Sequence, residues 1–324
     1  MPPAPITAPA RHQTIASHPL PGLPARLYRQ CFRHWRVRGH MRLGTWLARL
    51  FPSMRDVTVP HHQGLLHVDL RDPDQQRIFL DGGVQFEPRE VALVKTVVEP
   101  GHTVMDVGAH IGVYATLLAQ LVGHTGKVLA YEPQAAMLLR NAVPYPRLEV
   151  RPVAVSDRSG ALPFVQERSS GLSHVEKQAP SVSARPSGKE NQDQEKVTTV
   201  TLDHEVEQYQ LQQVHFLKVD VEGHEEFVLR GARRLLTSAY PPILLLEWVP
   251  FFRPRWQNGA VATLREMLSP GWTRFALGFD GTTREWTDWS EATENTNYLL
   301  VPEHRCGRLD AIRAAIGIQN GTSG

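Results

Sequence analysis

The sequence predicts an α/β protein built on a mostly parallel sheet that ends in an antiparallel closing strand. Three observations predict it. Apolar runs of strand length alternate with helical patterns from residue 101 to residue 269. Two of those runs end in an acid and a glycine-bearing turn, at Asp106-Val107-Gly108-Ala109-His110-Ile111-Gly112 and at Asp220-Val221-Glu222-Gly223. The last two runs have no long helix between them, and only antiparallel neighbours can be joined so directly.

Residues 1–24 are Pro-rich, and 25–55 form a basic arm. Residues 56–83 read as short strands and turns, with Gly82-Gly83 as punctuation. Between Pro88 and Val98 the apolar positions Val91, Leu93, Val94, Val97 and Val98 lie on a helical stripe that Pro100-Gly101 stops, closing an extension over 56–100. Strand 103–107, helix 112–122, strand 127–132, helix 134–142 and strand 148–154 follow, and such alternation means right-handed crossovers. Arg158-Ser159-Gly160 turns the chain into a strand at 161–165. The polar, Ser- and Pro-containing segment 176–196 is expected to be a mobile insertion. A β-rich return at 197–202 leads to a short helix from Asp203. The alternation resumes with strand 214–220, helix 224–236, strand 242–248, helix 258–269 and strands 272–279 and 295–301; residues 303–324 remain as a C-terminal tail.

In an open α/β sheet, ligands sit outside the carboxyl ends of the strands near the point where strand order reverses. Asp106, Glu132, Asp157, Asp220, Glu222 and Glu247 all stand at strand ends and are expected to converge there. Glu132 is placed to accept from both hydroxyls of a ribose. A dinucleotide site needs G-x-G-x-x-G, which Ala109, His110 and Val113 leave unfilled, and no G-x-x-x-x-G-K-[ST] occurs. NAD and ATP are therefore disfavoured. A cofactor with a ribose, no phosphates and a cationic head remains, and S-adenosylmethionine fits.

With 41% hydrophobic and 21% charged residues over 324, the chain is globular material able to bury a large core. A net charge of +2 creates no global pull on nucleic acid or anionic membranes. The charge is unevenly placed: residues 1–55 hold nine arginines and no acid, with Leu27, Trp35, Leu43, Trp46 and Leu50 among them. A helical arm packed on the catalytic domain, a membrane-surface helix and an organelle transit peptide compete for this segment, although early prolines interrupt the last. No run of eighteen apolar residues and no apolar signal core is present, so a cytoplasmic protein is expected. Cys31 and Cys306, without metal spacing, are expected as free thiols.

At these residues the chain resembles the FkbM-type S-adenosylmethionine-dependent methyltransferases. The carrying segments are V-M-D-V-G-A-H-I-G-V-Y (104–114), Y-E-P (131–133), V-A-V-S-D-R-S-G (153–160), T-L-D (201–203), F-L-K-V-D-V-E-G-H-E (216–225), V-L-R-G-A (228–232) and I-L-L-L-E (243–247). The resemblance implies a Rossmann-like class I methyltransferase fold of seven strands over 101–302. It implies that Asp106, Gly108, Ala109, His110 and Gly112 line the methionine and ribose side, that Glu132 and Pro133 hold the ribose, that Val155, Ser156 and Asp157 border the adenine, and that Asp220 lies between cofactor and acceptor. His110 stands where the family usually has Asn.

The acceptor implied is a hydroxyl of a sugar, glycolipid or polyketide-type product. Such a hydroxyl needs a base; Asp220 or His224 is expected to take the proton, with Glu222 and Glu247 orienting base or acceptor. Mg²⁺ on Asp220, Glu222 and Glu247 is the less favoured variant. Gly171-Leu172-Ser173-His174 with Trp248, Phe251 and Phe252 is expected to shape the acceptor pocket. Nucleic-acid methylation is the alternative that the basic arm motivates, but Tyr240-Pro241-Pro242-Ile243 opens a strand instead of forming an amino-group site, and no Pro-Cys nucleophile occurs. A cofactor-binding protein without turnover is the other.

Overall fold

In the computed structural model of the chain, the described residues are 21–34, 37–82, 87–165, 174–175, 196–248, 260–268, 271–278, 282–285 and 296–318. Helices α1 (Leu23–Phe32) and α2 (His40–Leu50) come first and cross closely at Gly44, where a Cβ would stand 2.5 Å from the Tyr28 hydroxyl. The hairpin of β1 (Val57–His61) and β2 (Gly64–Val68) and helix α3 (Pro73–Asp81) complete an N-terminal unit. The sequence reading of 56–83 as strands and turns holds for the hairpin and is corrected over Pro73–Asp81, which is helical. Asp72 caps α3 by accepting from the amides of Asp74 and Gln75, Pro73 starts its first turn, and Ile78, Phe79 and Leu80 bury against Met54, Val59 and Leu66.

Helix α4 (Pro88–Val97) leads into β3 (Thr103–Val107), α5 (Val113–Val122), β4 (Lys127–Tyr131), α6 (Ala136–Ala142) and β5 (Leu148–Arg151). The strand expected over 148–154 splits, because Pro152 has no N–H to give a ladder. Its second piece, β6 (Ala154–Val155), joins β7 (Gly160–Val165), β8 (His174–Val175) and β9 (Lys196–Val200) in a separate sheet of order β6-β9-β7-β8. The expected insertion lies outside the described residues except for Lys196, which begins β9.

Helix α7 (Leu202–Gln208), β10 (Phe216–Val219), α8 (Glu225–Gly231), α9 (Arg233–Leu236), β11 (Ile243–Trp248), α10 (Ala260–Met267), β12 (Trp272–Gly278), β13 (Thr283–Glu285), β14 (Thr296–Pro302) and α11 (Leu309–Ala315) complete the chain. The single helix expected over 224–236 is two, divided at Ala232, whose amide turns back to Leu229 O. In the C-terminal tail, Ile312 and Ile316 are buried, and Arg308 donates to Thr96 O at 3.1 Å on α4.

The main sheet has the order β13-β12-β14-β11-β10-β3-β4-β5. Strands β11, β10, β3, β4 and β5 are parallel neighbours, and β14 lies antiparallel between β11 and β12. The antiparallel closing strand is therefore present. The short β13 extends the edge by one strand beyond the seven expected. Strand order reverses at β3, which has β4 on one side and β10 on the other. One face packs Met105, Leu217, Leu244 and Tyr298 against α8; the other packs Val104, Phe216, Ile243 and Leu299 against α4 and α5.

Candidate active site

Side chains two apart on a strand share a face. On β10 that period places Lys218 and Asp220 on the face of Phe216; on β3 it places Asp106 with Val104, on β11 Glu247 with Leu245, and on β14 Asn297 with Leu299. The register sets Lys218 beside Asp106 and Glu247 opposite Asn297. An apolar face thus ends, at the tips of the parallel strands and the switch point, in a row of ionisable groups.

Lys218 is the hinge of this row. Its Nζ donates to Asp220 Oδ2 at 2.6 Å and lies 4.7 Å from the centroid of the Tyr114 ring, while Tyr114 donates its hydroxyl proton to Glu87 Oε2 at 2.5 Å. Burial alone would strip the charge from this lysine, but Asp220, Asp106 and Glu87 outweigh it and hold its pKa above the ordinary value. Asp106 is fully buried with neither carboxylate oxygen in a formed hydrogen bond, although the Ala115 amide lies near enough to favour its charge; burial pushes it up to about 6 against the pull of Lys218. Asp220 is 30% exposed; burial opposes its charge, yet Lys218 and a hydrogen bond with Glu247 hold it below the usual carboxylate range. Glu247 moves the other way, raised well above its ordinary value by burial and by the neighbouring Asp220. Two adjacent carboxyls pushed in opposite directions share one proton.

The glycine turn is pressed against this pair. Gly108 has φ +83°, and a Cβ there would stand 1.7 Å from the Asp220 carbonyl oxygen, so the tips of β3 and β10 meet as bare backbone. His110 adopts φ +51°, a region that Asn, Asp and His enter more readily than other side chains. Its amide donates to Glu132 Oε2 at 3.0 Å and the Gln134 amide to Oε1 at 2.9 Å, aiming the carboxylate at the end of β4 and leaving lone pairs for a ligand. Burial raises the Glu132 pKa despite these donors. Ala109 is buried beside the turn, Pro133 is half-buried after Glu132, and Gly112, at φ +95°, caps α5.

Glu225 holds the second turn from beneath. Its Oε1 accepts from the Gly223 amide at 2.9 Å, across a loop in which Glu222 and Gly223 have φ +53° and +98°, and burial pushes its carboxyl up to about 7. Val155 and Ser156 are buried; Ser156 Oγ lies 3.0 Å from His224 Nε2 and donates to Asp157 Oδ1 at 3.3 Å. His224, expected as a base, sits beside Ser156. His224 is 3% exposed, packs on the Phe227 ring and is tied to the expected adenine side. Asp157 belongs to the same chain of contacts. One expectation is corrected: Trp248 is fully buried in the core, not a pocket wall, while Gly171, Leu172, Ser173, Phe251 and Phe252 lie outside the described residues.

Three acids, Asp220, Glu222 and Glu247, bring oxygens within 4.8 Å of one another, a spacing that suits a cation as well as a shared proton. Lys218, Glu87, Tyr114 and Glu225 are the site residues that sequence reasoning missed. Lys218 had a signal, since it stands two before Asp220 on a strand; Glu87 and Tyr114 had none, because only packing brings α4 and α5 over the same strands.

The family model described as Methyltransferase FkbM domain matches residues 106–287. No curated protein matches the chain. Among solved structures, a SAM-dependent methyltransferase from Aquifex aeolicus is similar at 15% identity, over 67% of this chain and 90% of that one, with a TM-score of 0.33. A putative rRNA methylase from Clostridium thermocellum is similar at 11% identity over 66% and 95%, TM-score 0.36, and a SAM-dependent O-methyltransferase from Thermotoga maritima at 12% over 77% and 86%, TM-score 0.34.

Proposed function

The chain belongs to the FkbM methyltransferase family, whose domain model matches more than half of it, and from that premise we propose that it transfers a methyl group from S-adenosylmethionine to a hydroxyl of a sugar, glycolipid or polyketide-type acceptor. The observation that carries the reading is the Asp220–Glu247 carboxyl pair, anchored by Lys218 and pressed against the Gly108 turn.

The residues fit the cofactor. Gly108 leaves a cradle that a Cβ would fill, Asp106 keeps two buried oxygens without formed hydrogen bonds, and the surplus of carboxylates favours an ammonium and a sulfonium. Bound there, the sulfonium supplies an electrophilic methyl group. Glu132 would hold the ribose hydroxyls, and the Val155–Asp157 segment, braced by His224, would border the base. The chain must align the acceptor oxygen with the methyl group and remove the hydroxyl proton. Asp220 and Glu247 do the second: the pair, once it has lost its shared proton, accepts the proton of the acceptor hydroxyl. Glu222 orients the acceptor. Lys218 already places a positive charge beside Asp220, so we read the reaction as independent of Mg²⁺, and a chelator is expected to leave turnover unchanged.

The test is Glu247→Gln with binding of S-adenosylmethionine followed by calorimetry and turnover on a panel of hydroxyl acceptors. Turnover should fall by ~10²-fold or more with cofactor affinity kept. In the parent protein kcat/KM should rise with pH through the raised titration of the pair, and the variant should lose that limb. Unchanged turnover removes the base role; failure to bind S-adenosylmethionine removes the cofactor reading.

A further inference from the structure

The two N-terminal helices present a surface that the active site does not use. Helix α1 buries Ala25 and Tyr28 and turns Leu23, Arg26 and Leu27 outward. Helix α2 buries Gly44 and Ala48 and turns out Arg42, Leu43, Trp46, Arg49 and Leu50, with Trp46 56% exposed. The spacing of three and four places each set on one stripe, opposite the stripe that packs inward. Seven of the ten large apolar side chains exposed among the described residues lie between Leu23 and Phe51, so they are concentrated on these two helices and the residues that join and end them, and are not scattered over the chain. Nine of the 35 basic residues and none of the 33 acidic ones lie in residues 1–55, so this patch is positive on a body that is net negative.

We propose that this face docks on an anionic lipid surface, its leucines and Trp46 at the acyl boundary and its arginines among the headgroups. Charge selects this occupant. A second copy in a two-fold pairing would set arginines against arginines. Nucleic acid would engage the arginines but leave Leu23, Leu27, Leu43 and Leu50 in water. An anionic bilayer interface satisfies both kinds of side chain at once. The helices do not need the membrane to form, because their inner stripes pack on α3 and Met54 within one core. The docking is independent of the methyl-transfer reading.

Flotation of the full chain tests it, with vesicles of phosphatidylcholine alone and vesicles that also contain phosphatidylserine, each at low and high salt. The protein should float with the anionic vesicles only, and less in high salt. Replacing Arg26, Arg42 and Arg49 together by Ser should lower partitioning by ~10²-fold, and replacing Trp46 and Leu50 by Ser by at least ~10-fold. All five side chains are exposed, so thermal unfolding and S-adenosylmethionine binding should not change. Equal flotation with both vesicle types, flotation with neither, or partitioning indifferent to both sets of substitutions overturns the proposal. So does RNA binding in place of vesicle binding, or a dimer that Trp46→Ser dissolves, either of which assigns the face to another occupant.

Discussion

Lys218 shows how much one side chain decides at this site. It is a buried ammonium among Asp220, Asp106 and Glu87, and each acid is tolerated there because the lysine is. Lys218→Met keeps the volume and removes the charge. It should cost ~3 kcal/mol in equilibrium urea unfolding near neutral pH, at the lower end for a broken buried pair because Asp220 is part-exposed. The loss should shrink in acid, where the carboxyls protonate and no longer need a cation; a loss below ~1 kcal/mol at neutral pH would show that they carry their own protons in the parent protein. Asp106, Glu132 and Asp220 were legible in the sequence because an acid at the tip of an apolar run has no packing reason to be there. Whether His224 faced the acceptor or the core was not legible, since both fit a histidine at the start of a helix; its contact with Ser156 is made across 68 residues.

At the scale of elements, the site depends on how closely β3 and β10 approach at their tips. The Gly108 turn lies on the carbonyl of Asp220, with its own amide and that of Ala109 both bonded to Tyr131 O, so it can retreat from neither neighbour. Gly108→Ala should therefore destabilise by ~3 kcal/mol or more, from a left-handed backbone and a clash with backbone together, and should abolish S-adenosylmethionine binding. Thermal unfolding and calorimetry measure the two effects; an alanine variant that binds normally would mean that the strand tips part easily. The strands of the main sheet were readable from alternation. Helix α3 was hidden by its short length, although Asp72 and Pro73 at its head were a readable start signal, and the 148–154 strand looked continuous because the alternation of Leu148 and Val150 with Glu149 and Arg151 does not say which sheet each piece joins.

At the scale of the whole molecule, the N-terminal unit is joined to the cofactor side through Asn141 of α6. Its amide accepts from the His67 amide at 2.7 Å and donates to His67 O at 3.1 Å and to Ile111 O at 2.8 Å, so one buried side chain links β2, α6 and the glycine turn. Asn141→Ala should lower stability by ~2–3 kcal/mol and weaken S-adenosylmethionine binding, because the half-buried His67 backbone groups and the buried Ile111 carbonyl lose their partner; unchanged binding in titration calorimetry would show that the turn is held from the sheet alone. Among the described residues no helix is long and apolar enough to cross a membrane, and contact with a lipid surface would fall to α1 and α2. The sequence by itself determined the parallel sheet, the acids at its strand tips, the glycine turn and the sign of the N-terminal arm, since periodicity, turn chemistry and charge are local properties. Only the tertiary structure decided that Lys218 neutralises Asp220, that Glu87 and Tyr114 cover the same face, that His224 turns inward, and that β14 slots between β11 and β12. Those are contacts between segments far apart in the chain, set by which surfaces bury each other and not by what any one segment prefers.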